Sequence, residues 1–231
     1  MLLAFLAIPI VAAELVARKL VADAVAHAVE ARIGVAPKIG FGSTPLLLQI
    51  VNGRLNTVSV SARGARIGGL PPLNLSATLR DVHLRSLTSL EGAIGSLSVD
   101  ALLPASGVRD LLATPACIDS LPASLVPALT RSPRVVIFPG RIDLLPPRGR
   151  AAEARLRPYA AGATVRFALT GLELGGRAVS AGALSSARSA VRCSRTLGGL
   201  PFGVSLKSAL AGAGTLELAF AGRGASFSAL G

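Results

Sequence analysis

Residues 55–84 read LNTVSVSARGARIGGLPPLNLSATLRDVHL. Apolar side chains at Leu55, Val58, Val60 and Ala62 fall on every second position or close to it. A glycine-rich turn at Arg63–Gly69 and the Pro71-Pro72 pair interrupt them, and Leu73, Leu75, Ala77 and Leu79 then resume the alternation. A period of two is the mark of a strand with one buried face, and the Gly/Pro interruption marks the connection to its neighbour. The phase slips at Arg80-Asp81 before Val82 and Leu84, which predicts a β-bulge there. Working forward, similar stretches predict strands at Leu97–Leu103, Arg134–Phe138, Arg141–Leu145, Thr164–Thr170, Val204–Leu210 and Thr215–Ala221. Ala211-Gly212-Ala213-Gly214 joins the last two as a hairpin loop. Ser106 is the expected cap of a short helix to about Ala113, and Pro122–Leu129 is a second short helical candidate.

Working backward, the period becomes helical. Val21, Val25, Val29 and Ile33 recur every fourth residue, opposite Lys19, Asp23, His27 and Glu30, and Glu14 and Arg18 form a favourable pair four apart. Gly34 and Pro37 end the helix. Before it, Met1–Ala13 is an unbroken apolar run. At thirteen residues it suits the core of a signal peptide rather than a span of about 20, with Val11-Ala12-Ala13 as an A-x-A-like cleavage site. No basic residue precedes the run, so the alternative is an uncleaved anchor continuing into the helix. The expected organisation is a leader at 1–13 and a single domain at 14–231. No strand–helix–strand alternation appears, so the fold class is α+β: a long antiparallel sheet with one major N-terminal helix.

Composition narrows the function. The chain has 231 residues, 51% of them hydrophobic and 16% charged, with a mean hydropathy of +0.61. That excludes a disordered chain. Aromatics are 3%, with no Trp, so Ala, Leu and Val build the interior. Either the protein sits in a membrane or it carries more apolar surface than its core requires. Lys and Arg number 24 against 12 Asp and Glu, a formal charge of +12, which reflects codon bias or an anionic partner. Nucleic acid is the weakest such partner, because single-strand binders stack bases on aromatic side chains.

Eight arginines cluster at Arg131, Arg134, Arg141, Arg148, Arg150, Arg155, Arg157 and Arg166, against Asp143 and Glu153. They suit an anionic bilayer, where each cation near the surface contributes about 1 kcal/mol, or they form a solvated surface. Cys117 and Cys193 form the expected disulfide of an exported protein, closing a loop of about 76 residues worth about 3–4 kcal/mol. They and His27 and His83 show no zinc spacing. No nucleophile elbow, phosphate loop or dinucleotide fingerprint occurs, so neither an enzyme nor a cofactor or metal is expected.

A family resemblance rests on the order of pieces: the apolar leader, the acidic residue and charged helix, then Phe41-Gly42-Ser43-Thr44-Pro45-Leu46-Leu47-Leu48-Gln49, Gly53-Arg54-Leu55, and the late Leu200-Pro201-Phe202-Gly203-Val204-Ser205-Leu206. This resembles the LmeA-like phospholipid-binding family of actinobacterial envelope proteins, which usually has Pro-Phe-Leu where this chain has Pro45-Leu46-Leu47. The resemblance implies a TULIP-like fold: a curved antiparallel sheet wrapping a long helix, with an apolar groove for acyl chains. It implies a periplasmic, inner-membrane-associated place and a role in lipid-linked mannan elongation. The expected partners are a phospholipid or other acyl-chain lipid and an anionic membrane surface. The alternative is a non-catalytic scaffold that binds an envelope glycosyltransferase. The expected groove wall is Val21, Val25 and Val29 from the helix, with Leu46, Leu48, Val58, Val60, Phe202, Val204, Leu206, Leu218 and Phe220. Headgroups and the membrane fall to Arg131, Arg134, Arg141, Arg148, Arg150, Arg155 and Arg157, because the guanidinium fork matches phosphate.

Overall fold

The computed structural model describes residues 2–86, 91–113, 117, 133–146, 152–198 and 200–227. In chain order these form α1 (Leu2–Ile33), β1 (Lys38–Phe41), α2 (Leu46–Val51), β2 (Arg54–Ala65), β3 (Leu73–Ser86), β4 (Glu91–Pro104) and α3 (Ala105–Leu112). There follow β5 (Arg134–Phe138), β6 (Arg141–Leu145), β7 (Ala152–Ala161), β8 (Thr164–Leu174), β9 (Arg177–Ala178), α4 (Ala181–Ala190), β10 (Ser194–Thr196), β11 (Ser205–Ala211) and β12 (Thr215–Phe227). The fold is α+β, with an N-terminal helix followed by antiparallel sheet.

The strands divide between two sheets, ordered β1-β2-β3-β4-β12-β11 and β10-β8-β7-β6-β5, with β9 paired to β8. Alternation had suggested one long sheet. Period two fixes which residues face inward, but not which strand lies beside which. The sheets meet where β11 runs beside β7. Two backbone hydrogen bonds hook one end of this seam, Gly140 N–H to Ala211 O (2.8 Å) and Gly214 N–H to Ile137 O (3.2 Å).

The inner face of the first sheet is a set of aliphatic rows that cross the strands. One row runs Ile39–Val60–Ala77–Val99–Phe220–Leu206 through all six strands. The next runs Ala62–Leu75–Ala101–Leu218–Ala209. Nearly every member is buried, and burying a Val, Leu or Phe side chain stabilises the fold by about 1.5–3 kcal/mol.

The slip expected at Arg80-Asp81 is real, but it is not a bulge. Leu79 and Val82 both face inward, yet β3 keeps one register with β4 from Asn74↔Leu102 through Leu84↔Gly92. No residue is inserted, because the neighbours change phase at the same height: Leu55 to Val58 in β2 and Ile94 to Leu97 in β4. Asp81 and Gly224 adopt left-handed φ of 54° and 64°, on either side of Gly95 in the register. A Cβ at Gly95 would lie 2.8 Å from that of Asp81, so the pleat turns over only where β4 has no side chain.

Along α1, Lys19, Asp23 and His27 are exposed, Val21, Val25 and Val29 half-buried and Ile33 buried, as its period predicts. The helix lies against β1 and α2. Leu15, Val16 and Leu20 remain exposed, while Val21, Ala22 and Val29 pack against the core that Ile33 joins. Among the described residues no helix is long and apolar enough to cross a membrane. Cys117 and Cys193 are joined in a disulfide, both buried. Helix α3 starts at Ala105 after an extended Pro104 with no side-chain cap, so Ser106 lies inside the first turn and does not cap it. The candidate helix at 122–129 lies outside the described residues.

Candidate functional site

Five of the expected groove residues share the inner face of the first sheet: Val58, Val60, Leu206, Leu218 and Phe220, each buried. Leu46 is fully buried beneath α2, while Val21, Val29, Phe202 and Val204 pack against the same core half-exposed. Val25 is half-buried. Leu48 is separated from this set, pointing outward from α2 at 56% exposure. Apart from Leu48, most of the expected wall residues are therefore gathered against one core.

A polar latch that sequence reading glimpsed only as an i,i+4 pair sits beside them. Both carboxylate oxygens of Glu14 accept from the first turn of α2, from Leu46 N–H (2.5 Å) and Leu47 N–H (2.9 Å). Pro45 precedes that helix and gives it no side-chain cap, so α1 supplies the cap from a distance. The hydrogen bonds from Leu47, Leu46 and Arg18, in that order, hold the Glu14 pKa at about 2. Arg18 spans Glu14 (2.6 Å) and the carbonyls of Phe41 (3.3 Å) and Thr44 (3.1 Å). Buried Gln49 donates to Thr44 O (2.9 Å) and accepts from Asn56 N–H (2.8 Å). The 41–49 stretch is thus a loop and a short helix pinned to α1. Pinning leaves Leu48 and Val51 facing solvent, Val51 at 83% exposure. α2 packs against α1, on which Leu15, Val16 and Leu20 are exposed.

The arginine cluster sorts into paired and unpaired members on the outer face of the second sheet. Arg155 is held between Glu153 (3.1 Å) and Glu173 (2.6 Å). Arg141 pairs with Asp143 (3.3 Å) and lies over the Phe138 ring at 4.8 Å from its centroid. Asp143 is buried, and burial raises its pKa against the pull of Arg141. Arg134, Arg157 and Arg166 have no carboxylate partner among the described residues. Arg131, Arg148 and Arg150 lie outside the described residues.

Arg157 stands on the part of β7 that matters most. The β6–β7 ladder ends at Ile142↔Leu156, so residues 157–161 of β7 have β8 on one side only. β11 lies on the other side, yet it pairs only with β12. A cleft of about 340 Å³ separates the two edges, lined by Gly140, Arg157–Ala160 and Lys207–Ala211. Arg157 and Tyr159 stand outward on one lip, Lys207 and Leu210 on the other, and Pro158, Ala209 and Ala211 are buried between them. Pro158 lies within β7, on the stretch that has outrun β6, where a residue with no N–H to donate is tolerated.

Comparison with known proteins adds one match. A family model described as LmeA-like phospholipid-binding covers residues 12–221. No curated protein and no solved structure matches the chain.

Proposed function

The chain belongs to the LmeA-like phospholipid-binding family, and from this premise we propose that it is an exported protein of the cell envelope that holds phospholipid, or passes it on, at an anionic membrane surface without catalysis. The observation that carries the reading is the six-strand aliphatic face, in which Ala62, Ala77, Ala101, Ala209 and Ala211 alternate with Leu, Val and Phe. Such a face offers an acyl chain apolar surface without polar chemistry, at about 0.8 kcal/mol per buried CH₂. The exposed Leu15, Val16, Leu20, Leu48 and Val51 support contact with a bilayer, since soluble proteins seldom leave such side chains facing water together. The disulfide supports an oxidising compartment.

Extraction and mass spectrometry of the protein purified from cell envelopes tests the reading. Phospholipid is expected at near one molecule per chain, and lipid-free protein that takes up none from vesicles would refute it. The reading extends to support of lipid-linked mannan elongation. A deletion strain should then accumulate short glycans, restored by wild type but not by a lipid-binding-deficient variant. Restoration by such a variant, with a membrane glycosyltransferase co-purifying, would favour a scaffold.

A further inference from the structure

We propose that the seam between β7 and β11 is the mouth through which the phospholipid is taken, with the phosphate held by Arg157 and Lys207 and the acyl chains passing inward between the two strand edges. The proposal rests on the lipid-binding reading above and assigns it a place.

Two unpaired strand edges side by side ordinarily join into a ladder. Here each edge carries a device that prevents it. Pro158 removes a backbone donor from β7, and the register of β11 with β12 shifts between Leu206 and Ser208, which puts Lys207 on an irregularity that twists the strand. The seam is hooked through Gly140 and Gly214 at one end and left open along the cleft. Its lips are chemically sorted. Arg157 and Lys207 are exposed cations with no ion-pair partner among the described residues, placed to meet a phosphate diester from both sides. Tyr159 and Leu210 stand beside them, at 39% and 58% exposure, as apolar bodies suited to the glycerol and the first methylenes.

Size decides how the lipid would lie. A cleft of about 340 Å³ is at the lower end for small-molecule sites, roughly 300–1,000 Å³. It admits a headgroup and glycerol but not two full acyl chains, which must continue elsewhere. Ala209 and Ala211 of β11 lie buried behind the lips and belong to the aliphatic rows of the first sheet, so the way inward is bordered by the smallest apolar side chains.

The chain has no tryptophan, so Leu210→Trp installs a single fluorescent reporter on the lip. After exchange with vesicles of phosphatidylglycerol brominated along its acyl chains, and removal of the vesicles, the reporter should be quenched. Phosphatidylglycerol retained by Arg157→Glu/Lys207→Glu should fall by about tenfold or more, with the milder Arg157→Gln/Lys207→Gln pair intermediate and both melting like wild type. Loaded protein with an unquenched reporter, or full retention after charge reversal, overturns the seam while leaving the lipid-binding reading intact. Displacement of the lipid by inorganic phosphate alone marks a free-anion site and also overturns it. A wild type that takes up no lipid removes the underlying reading and the seam with it.

Discussion

The two sheets are built alike on the inside and differently on the outside. Both bury rows of Leu, Val, Ile and Ala, such as Val60–Ala77–Val99 in the first and Ile142–Leu156–Leu169 in the second. On the outer side, the middle of the first sheet shows Ser59–Thr78–Ser98–Ala221–Ser205, uncharged from end to end. The second shows Arg141, Arg155, Arg157 and Arg166 around Asp143, Glu153 and Glu173. Interiors answer to one requirement, exclusion of water, and so converge. Outer faces are free of it, and there the second sheet carries arginines that its own carboxylates only partly neutralise. The seam lies where the two outer faces meet, with Lys207 on the first sheet's side and Arg157 on the second's.

The comparison breaks most readily at the shared interior. Phe220→Ala removes a buried aromatic from the longest row and should cost about 3–5 kcal/mol in denaturant unfolding. A loss near zero would mean that this face is loosely filled. Replacing Cys117 and Cys193 by alanine should cost about 3–4 kcal/mol by the same measurement, because their link restrains a long stretch of the unfolded chain. Gly95→Val forces a side chain against Asp81 and the Arg80 carbonyl, 2.8 and 3.3 Å from the new Cβ. It should cost about 1–3 kcal/mol, whereas Gly162→Ala, at a left-handed turn with open space around it, tests backbone strain alone.

The polar contacts give smaller effects. Arg155→Ala breaks two half-exposed ion pairs and should lower stability by at most about 1 kcal/mol, less at high salt. Glu14 gives a pH signature. Its folded-state pKa is depressed from 4.5 to about 2, so its contribution is present above about 4.5 and is lost as pH falls towards 2. Hydrogen exchange at Leu46 and Leu47 should accelerate over that window in wild type, and already at neutral pH in Glu14→Gln. A window unchanged by the substitution would assign the latch to other groups.

Much of the architecture was legible in the residues. The spans at 134–138 and 141–145 coincide with β5 and β6, because a five-residue alternation between turn residues leaves little freedom. The helix expected from Glu14 to Ile33 was equally plain and lies within α1. β7 was hidden by its proline and arginines, since Pro158 is admissible only on an edge and edges are a property of the assembled sheet. α2 was hidden because Glu14, which caps it, lies far off in the chain. Of the candidate site, the aliphatic face could be read from alternation and the arginines from their density, but not which of those arginines would find carboxylates.

The sequence by itself determined the class of fold, the residues that turn inward and the excess of positive charge, because periodicity and composition act locally and survive any arrangement of neighbours. Only the tertiary structure decided that the strands form two sheets, that Asp81 and Gly224 turn the pleat over on either side of Gly95, and that β7 and β11 lie side by side without joining. Those outcomes depend on which strand stands next to which, and that is set by packing free energy summed over the whole chain rather than by any one stretch of it.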